Sequence, residues 1–263
     1  MSEVLVEQHG AVVLATIDRP QAFNALDAGV VADLCATVVA AEASESVRAV
    51  VVTGSGTKAF SAGADLKELA GMSPDRAHAT MRAGQDAFRR IEEAQIPVIA
   101  AVNGLALGGG FELALAATFP VLSTRAALGL PESSLGLIPG YGGTQRLPRA
   151  VGRRVATHLM LTGERLGADR AFSLGITPVP PVEPERLVEV ALEIAGTIAQ
   201  QGPQAVRSIL HAVMRGADGD LSSGLALETG LAALAIAGAE STEGISAFLD
   251  RRPASFSAPG GDA

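Results

Sequence analysis

The first third of the chain alternates between short apolar runs and one helical pattern. Residues 4–7 and 11–17 are rich in β-branched and other apolar side chains, and Gly10 between them predicts a hairpin turn. Asp27 precedes apolar residues that recur every three or four positions, which predicts a helix that begins just after it. Residues 49–53 predict a further strand. Alternating strands and helices of this kind indicate an α/β fold.

The middle of the chain continues this alternation and adds an unusually apolar helix. Ser73 is followed by a proline, a typical helix start, and predicts a helix over about residues 75–94. Residues 97–102 predict the next strand. Three consecutive glycines at 108–110 then lead into 111–117, a segment so apolar that we expect a short buried helix.

Two further short strands and a long loop are predicted next. The strands cover residues 119–123 and 126–130, and residues 133–143 form a loop rich in glycine and proline. Loops of this length in a packed domain usually carry function.

The last third of the chain is predicted to be helical. Helical periodicity begins near residue 152 and is interrupted by a proline-rich stretch at 178–181, which predicts an edge strand or a linker. Helices then run from residue 184 onward. Ser241 is a plausible N-cap for the last of them, and we expect residues 257–263 to be disordered.

The composition indicates a well-packed soluble protein. Its 263 residues, 48% of them hydrophobic and 18% charged, suffice for one large domain or for one domain plus an appendage. We expect an α/β domain over residues 1–200 and an α-helical region over residues 201–263. The single cysteine, Cys35, cannot form an intrachain disulfide, which fits a reducing compartment.

Charge and hydropathy exclude several classes of protein. Twenty basic and 28 acidic residues give a net charge of −8, which argues against nucleic acid as the main partner. The N-terminus lacks the features of a signal peptide, and no run of 18 uncharged apolar residues occurs. We therefore expect a cytoplasmic protein that neither is secreted nor spans a membrane.

Residues 53–59 weakly match a dinucleotide-binding motif. They follow a predicted strand and read G-x-G-x-x-A from Gly54, but residues 60–64 contain another glycine before any helix can begin. A plain surface turn is one alternative interpretation. The other is that the loop over residues 60–66 itself binds a ligand.

Two glutamates are candidates for acid/base chemistry. Glu112 lies in the first turn of the buried helix, where it could simply interact with the helix dipole, or could serve proton transfer beside N–H groups that the glycines leave accessible. Glu132 precedes the long loop, where an exposed glutamate would be ordinary. Two carboxylates near free N–H groups would suit acid/base work on a carbonyl compound.

Metal and nucleophile chemistry find little support in the sequence. The four histidines share no ligand spacing with one another or with the cysteine, so we expect no metal site. They are His9, His78, His158 and His211. The G-x-S-x-G motif of serine hydrolases does not occur, which disfavours a hydrolase.

Five segments together resemble the motifs of one known family. They are residues 19–26, 59–68, 97–114, 130–147 and 243–253. The segments occur in the right order and span nearly the whole chain. On these residues the protein resembles the enoyl-CoA hydratase/isomerase (crotonase) family, and most closely its hydratases.

The resemblance implies a fold and a substrate class. The implied fold is α/β, the crotonase-like (ClpP/crotonase) spiral of β-β-α units with a C-terminal helical trimerisation region. It implies a homotrimer or a homohexamer built as a dimer of trimers. The implied substrate is an acyl-CoA thioester, and no metal or redox cofactor is required because coenzyme A is part of the substrate.

The resemblance also implies site residues. Backbone N–H groups of Ala64 and Gly109 would form an oxyanion hole for the thioester oxygen. Glu112 would act as the base that activates water, and Glu132 would donate the proton to the α carbon. Tyr141 would border the acyl tail.

Coenzyme A itself would contact the loop around residues 62–66, joined by a residue near the N-terminus. The implied residues are Ala22, Ala62, Asp65 and Leu66. Gln21 stands where the family commonly has a lysine, and a lysine expected near Leu210 is also missing. Both departures concern contacts to the phosphates.

Three further departures lie near the catalytic helix. Thr118 and Pro120 replace an aspartate and an arginine that are common in the family, and Leu130 replaces a frequent glutamine. They concern packing rather than the chemistry.

We expect a 2-enoyl-CoA hydratase, because relatives that carry other activities often keep only one of the two glutamates. Alternatives are an enoyl-CoA isomerase, another lyase of the crotonase type, and a non-catalytic acyl-CoA-binding relative.

Overall fold

The computed structural model describes residues 2–256. This range contains nine strands: β1 (Val4–His9), β2 (Val12–Ile17), β3 (Ala49–Gly54), β4 (Ala59–Ser61), β5 (Val98–Val102), β6 (Leu105–Leu107), β7 (Phe119–Leu122), β8 (Ala127–Gly129) and β9 (Leu166–Gly167). The hairpin at Gly10 is confirmed, as are the predicted strands β3, β5, β7 and β8. The short strands β4, β6 and β9 were not predicted.

The same range contains eleven α-helices: α1 (Ala28–Ala43), α2 (Leu66–Leu69), α3 (Pro74–Glu92), α4 (Gly109–Ala116), α5 (Gly143–Val151), α6 (Arg153–Thr162), α7 (Ala168–Ser173), α8 (Leu187–Ala199), α9 (Pro203–Ala217), α10 (Leu221–Ile236) and α11 (Ala239–Leu249). Short 3-10 turns occur at Pro20–Ala22, Glu132–Leu135 and Pro184–Arg186. Helices α1 and α3 begin as predicted, because the side chains of Asp27 and Ser73 accept hydrogen bonds from backbone N–H groups in the first turn.

The nine strands form two sheets, and from β3 to β8 successive strands alternate between them. One sheet has the order β1-β2-β3-β5-β7 and is parallel except for the β1–β2 hairpin, and the other has the order β4-β6-β8-β9. Each of β3, β5 and β7 is followed directly by a strand of the second sheet, and helices follow the first two of these pairs. This is the repeated β-β-α unit that the resemblance implies.

The central strands of the five-stranded sheet, β3 and β5, are buried on both faces. Val50 and Val52 of β3 contribute to the larger apolar cluster, which also contains Phe88 of α3. Val51 between them belongs to a second cluster, where it packs with Ala191 of α8. Side chains alternate between the two faces of a strand, so a continuous apolar run is what a sheet covered on both sides requires.

Helix α4 is buried as predicted. All of its residues except Leu115 are buried, and Gly110 allows its first turn to approach strand β4 closely. A Cβ atom at Gly110 would lie 2.2 Å from the Ser61 carbonyl oxygen. The first turn of α4 therefore lies against the end of β4.

Helices α9, α10 and α11 leave much apolar surface exposed. α9 and α10 bury none of their residues, and α11 buries only Ala247. Their large exposed apolar side chains include Ile209, Val213, Leu221, Leu225, Leu234, Ile236, Ile245, Phe248 and Leu249. Within residues 2–256 no single helix is long and apolar enough to span a membrane. Helices α10 and α11, which meet at a bend of 68°, reach that length and apolar composition only as a pair. The predicted boundary at residue 200 stays a prediction.

Ser241 is not the N-cap of the last helix, and that prediction is wrong. Helix α11 begins two residues earlier, after Gly238. The Ser241 hydroxyl donates hydrogen bonds to the carbonyl oxygens of Ile236 at 2.7 Å and Gly238 at 2.8 Å. A serine in a first turn can bind carbonyl groups of the preceding turn, so its presence alone does not fix where a helix begins.

Two other ambiguous segments take definite structures. Residues 55–58 connect strand β3 directly to strand β4, and a dinucleotide-binding turn would lead directly into a helix. The dinucleotide-binding interpretation is therefore wrong. The stretch at 178–181 is a linker that leads to a single parallel bridge between Ser123 and Val182. Residues 257–263, which we predict to be disordered, lie outside the described residues.

Candidate active site

Two glutamates line one cavity. Glu112 lies in the first turn of α4, and Glu132 begins the 3-10 turn after β8. Both line a cavity of about 110 Å³ together with Ala64, Gly109 and Tyr141. Because α4 follows β6 and the 3-10 turn follows β8, the pairing of these two parallel strands brings the glutamates together.

The Glu112 carboxylate is buried and hydrogen-bonded to backbone. Glu112 is 2% exposed, and its Oε1 accepts hydrogen bonds from the N–H groups of Tyr141 at 2.8 Å and Gly143 at 2.7 Å. Gly143 is the first residue of α5, so the positive end of a helix dipole faces the carboxylate. A Cβ atom at Gly143 would lie 3.0 Å from Glu112 Cγ, so glycine permits this close approach.

Opposing effects act on the ionisation of Glu112. Burial raises the pKa of Glu112 above its ordinary value, because desolvation disfavours the charged carboxylate. The N–H groups of Gly143 and Tyr141 and the positive charge of Arg146 act in the opposite direction. The site therefore combines a desolvated carboxylate with donors that stabilise its charged form.

Glu132 faces the cavity instead of lying exposed in a loop. Burial, reinforced by the nearby charge of Glu112, raises the pKa of Glu132 to about 7. Its Oε2 is buried and has no hydrogen-bond partner within residues 2–256. Gly108, with φ of +51°, makes room for this side chain, since a Cβ there would lie 2.9 Å from Glu132 Oε1.

Two residues that line the same cavity, Ala64 and Gly109, carry backbone N–H groups that lie close together. A Cβ atom at Gly109 would lie 3.4 Å from the Ala64 nitrogen, so the two peptides are close neighbours. Within residues 2–256 neither N–H has a hydrogen-bond acceptor. Gly109 is the first residue of α4, where an N–H group has no partner inside the helix. The bridge between Leu26 and Ala64 uses the Gly63 carbonyl and the Asp65 N–H and does not use the Ala64 N–H. A pair of free donors beside two carboxylates can hold an oxygen on which negative charge develops.

Comparison with known proteins decides the family. A sequence profile described as enoyl-CoA hydratase/isomerase matches residues 7–259. The chain belongs to the enoyl-CoA hydratase/isomerase family. It is 39% identical over 253 residues to the crotonyl-CoA hydratase of Syntrophomonas wolfei, covering 96% of this chain and 97% of the relative. It is 37% identical over 252 residues to the short-chain-enoyl-CoA hydratase of Clostridium acetobutylicum, covering 96% of each.

Solved structures of family members share the fold. An enoyl-CoA hydratase from Bacillus anthracis superposes with a TM-score of 0.93 at 37% identity, covering 97% of this chain and 99% of that one. An enoyl-CoA hydratase from Mycobacterium smegmatis gives 0.91 at 32% identity, covering 97% and 98%. The predicted family and the predicted crotonase-like fold are confirmed.

Of the four residues expected to contact coenzyme A, two line the cavity of the glutamates and two do not. Ala62 and Leu66 line the cavity of the glutamates. Asp65 caps α2 by accepting from the Lys67 N–H at 3.1 Å, and it lines a neighbouring cavity instead. Ala22 lines neither of these two cavities. It ends a 3-10 turn, and the carbonyl of the next residue, Phe23, accepts a hydrogen bond from the Ala62 N–H.

The departures from the common family pattern have structural roles. The Thr118 hydroxyl accepts a hydrogen bond from the Val98 N–H at 3.0 Å, and the Pro120 carbonyl accepts one from Thr177 at 2.8 Å. Leu130 is 1% exposed and borders the space beside Gly143. As expected, these positions concern packing around α4 and β7.

The functional site has two further residues, Arg146 and Glu92, that no local sequence pattern indicates. Their side chains form a two-bonded ion pair, with Arg146 Nε 3.0 Å from Glu92 Oε1 and Nη2 2.8 Å from Oε2. The two residues are 54 positions apart, so no local pattern joins them. Arg146 lies within a segment that resembles the family, which is the one signal that could have drawn attention to it.

The expected role of the Gly109 N–H in an oxyanion hole predicts a sharp difference between two substitutions of Gly109. Gly109→Pro removes the N–H at a helix position where proline is otherwise tolerated, so we expect kcat for hydration of crotonyl-CoA to fall about 10²-fold or more. Gly109→Ala retains the N–H and serves as the matched control, with a smaller loss. Circular dichroism checks that both variants fold. A folded Gly109→Pro enzyme with unchanged kcat would remove Gly109 from the site.

Proposed function

We propose that this family member is a 2-enoyl-CoA hydratase, a hydro-lyase that adds water across the 2,3 double bond to give a 3-hydroxyacyl-CoA. The observation that carries the proposal is that one cavity contains both glutamates and two free backbone N–H groups. The hydratase names of the relatives support it. Among them is the 2,3-dehydroadipyl-CoA hydratase of Escherichia coli, 39% identical over 257 residues, covering 97% of this chain and 99% of the relative.

The reaction needs one proton taken and one proton given. Glu112 removes a proton from water as the water oxygen bonds to the β carbon, and the π electrons move toward the thioester oxygen. The N–H groups of Ala64 and Gly109 stabilise the enolate charge there more strongly than they bind the neutral carbonyl. Glu132 then gives its proton to the α carbon. Transfer of a proton from Glu112 to Glu132 restores the starting state.

The environments of the two glutamates support these roles. Glu112 accepts two N–H hydrogen bonds and lies near the charge of Arg146, which favours the carboxylate that a base requires. Glu132 lacks such donors on its buried oxygen, and its pKa of about 7 keeps a substantial fraction protonated near neutral pH. Burial raises the pKa of both residues, but only Glu112 has N–H donors and an arginine that oppose this effect, and these different surroundings suit the two different roles.

We propose that coenzyme A lies along the loop over residues 62–66 and the turn at Pro20–Ala22. The hydrogen bond from Ala62 to the carbonyl of Phe23 joins these two segments. Gln21 cannot supply a charge to the phosphates, but Lys58 Nζ lies 5.9 Å from the centre of the Phe23 ring and is close to this turn. Hydration moves only protons and water, so the proposal involves no metal or redox cofactor.

The cytoplasmic location stays a prediction.

We propose that the preferred substrates carry short acyl chains. The cavity of the glutamates is small, about 110 Å³, and the buried Tyr141 lines both this cavity and a larger apolar cavity of about 790 Å³ between α1 and α3. The ring is held firmly, since it packs edge-on against Phe88 and occupies the space that a side chain at Gly84 would need. Tyr141 therefore limits how far an acyl tail can extend.

The glutamate pair gives the test of the proposed activity. Replacing either Glu112 or Glu132 by glutamine preserves shape but removes a proton acceptor or donor, so each variant should lose about 10²-fold or more in kcat with crotonyl-CoA. The double variant should be only slightly slower than the poorer single variant, because the two residues act in one reaction.

Other results would favour the alternative activities. A nearly silent Glu132→Gln with an inactive Glu112→Gln would indicate chemistry with one glutamate, and the conversion of a 3-enoyl-CoA to a 2-enoyl-CoA would then be measured. A wild-type protein that binds acyl-CoA but turns over neither substrate would indicate a non-catalytic relative.

The wall formed by Tyr141 predicts a change in chain-length preference. Tyr141→Ala should open the small cavity toward the larger one and raise kcat/KM for oct-2-enoyl-CoA relative to crotonyl-CoA about tenfold or more. Tyr141→Phe keeps the ring and should leave the ratio near that of the wild type. An unchanged ratio in the alanine variant would show that the ring does not limit the tail.

We propose a homotrimer or a homohexamer. The exposed apolar side chains of α9, α10 and α11 would be costly to leave in water, and association would cover them. Light scattering at micromolar concentration should give three or six copies of the chain. Phe248→Asp, at a residue 82% exposed, should weaken the assembly. A monomeric wild-type protein would contradict the proposal.

A further inference from the structure

Arg146 uses all three of its guanidinium nitrogens in hydrogen bonds. Its side chain is 14% exposed, and Nε and Nη2 bind the two carboxylate oxygens of Glu92 on α3. The third nitrogen, Nη1, donates to the Tyr141 carbonyl oxygen at 2.8 Å. The N–H of this same Tyr141 donates to Glu112. One residue of the turn before α5 is therefore bound by Arg146 on one side and by Glu112 on the other.

The backbone of this turn is shaped to permit both contacts. Gly142 has φ of +114°, a conformation that favours glycine, and a Cβ there would lie 2.1 Å from Arg146 Nη1. Any other residue at 142 would push the guanidinium away from the Tyr141 carbonyl. At the next position, Gly143 permits the approach of Glu112. The two glycines thus leave room for the arginine and the glutamate respectively.

We propose that Arg146 is a positioning residue for Glu112. It fixes the turn over residues 141–143 so that two N–H groups point at the Glu112 carboxylate, and it keeps a positive charge behind that turn. Arg146 is not among the residues that line the cavity of the glutamates, so it acts through the turn and not directly on the reacting atoms. The inference rests on the proposed function, in which Glu112 acts as the base.

A lysine could not replace this arrangement. Arginine offers a rigid planar fork that binds a carboxylate with two parallel hydrogen bonds and still has another N–H group for the carbonyl. Lysine would keep the charge but could not hold Glu92 and the Tyr141 carbonyl in the same geometry. The two contributions of Arg146, geometry and charge, can therefore be separated by substitution.

The charged surroundings determine the expected direction of a pH effect. Within residues 2–256, the titratable and charged groups that face Glu112 are Glu132, the Tyr141 hydroxyl and Arg146. Glu92 faces Arg146 from α3 and is itself 3.7 Å from Arg89. Loss of the Arg146 charge would leave Glu92 less compensated, so both changes would raise the pKa of Glu112. As the pH falls, a base with a higher pKa becomes protonated at a higher pH. The acid limb of the kcat–pH profile would therefore move upward.

Three variants and one control test the inference, each measured for kcat and KM with crotonyl-CoA across pH. Arg146→Gln should lower kcat at least tenfold, leave KM nearly unchanged, and move the acid limb up by about 0.5 to 1 pH unit. Arg146→Lys should leave the limb near its wild-type position while kcat stays reduced. Glu92→Gln keeps the arginine charge and should lower kcat less, with no upward movement of the limb.

Arg149→Gln is the matched control. Arg149 lies on the same helix α5 and is exposed, and among residues 2–256 it binds only the carbonyl and side chain of Gln145. This variant should match the wild type in kcat and in its pH profile. Thermal unfolding of every variant shows whether a lost turnover reflects lost folding.

The outcomes separate this inference from the proposed function. If Glu112→Gln is inactive but folded Arg146→Gln keeps the wild-type kcat and acid limb, the positioning role is wrong and the hydratase proposal stands. If Glu112→Gln is as active as the wild type, Glu112 is not the base and the proposed function fails first. Should Arg146→Gln not fold, Arg146→Lys decides: wild-type kcat in that folded variant would overturn the need for the fork.

Discussion

A buried carboxylate remains charged only where hydrogen-bond donors and positive charge replace the water it has lost. Glu112 is in this position, and the N–H groups of Tyr141 and Gly143 together with the charge of Arg146 provide the replacement. All three partners belong to one turn and the first turns of the helix after it. The placement of that turn against α4 therefore determines how strongly the charged form of Glu112 is stabilised in the cavity.

The sheets make this placement possible. Strands β6 and β8 are parallel neighbours, so the segments that leave their ends meet, and these segments carry Glu112 and Glu132. The loop after β4, which leads to Ala64, comes from the strand on the other side of β6. Glycines at 108–110 then let α4 approach both neighbours. Glu112, Glu132 and Ala64 thus lie on segments that follow three adjacent strands of one small sheet.

Local sequence was a good guide where an element has its own pattern. Asp27 and Ser73 begin helices as predicted, and the apolar run at 97–102 forms β5. Strands β4 and β6 have three residues each, too few to show a period of two, and were missed. Ser241 misled because a serine in a first turn can bind a carbonyl as readily as it caps a helix.

The sequence alone determined the longer strands and the helices that begin after Asp27 and Ser73, the burial of α4, the position of Glu112 in its first turn, and the resemblance to the enoyl-CoA hydratase/isomerase family. These features follow from hydrophobic pattern, glycine placement and motif order, all of which are local properties of the chain. Only the tertiary structure decided that Glu132 is half-buried with a pKa of about 7, and that Arg146 joins Glu92 to the turn that holds Glu112. Desolvation and charge act through space, so they depend on neighbours that the fold brings together from distant parts of the chain.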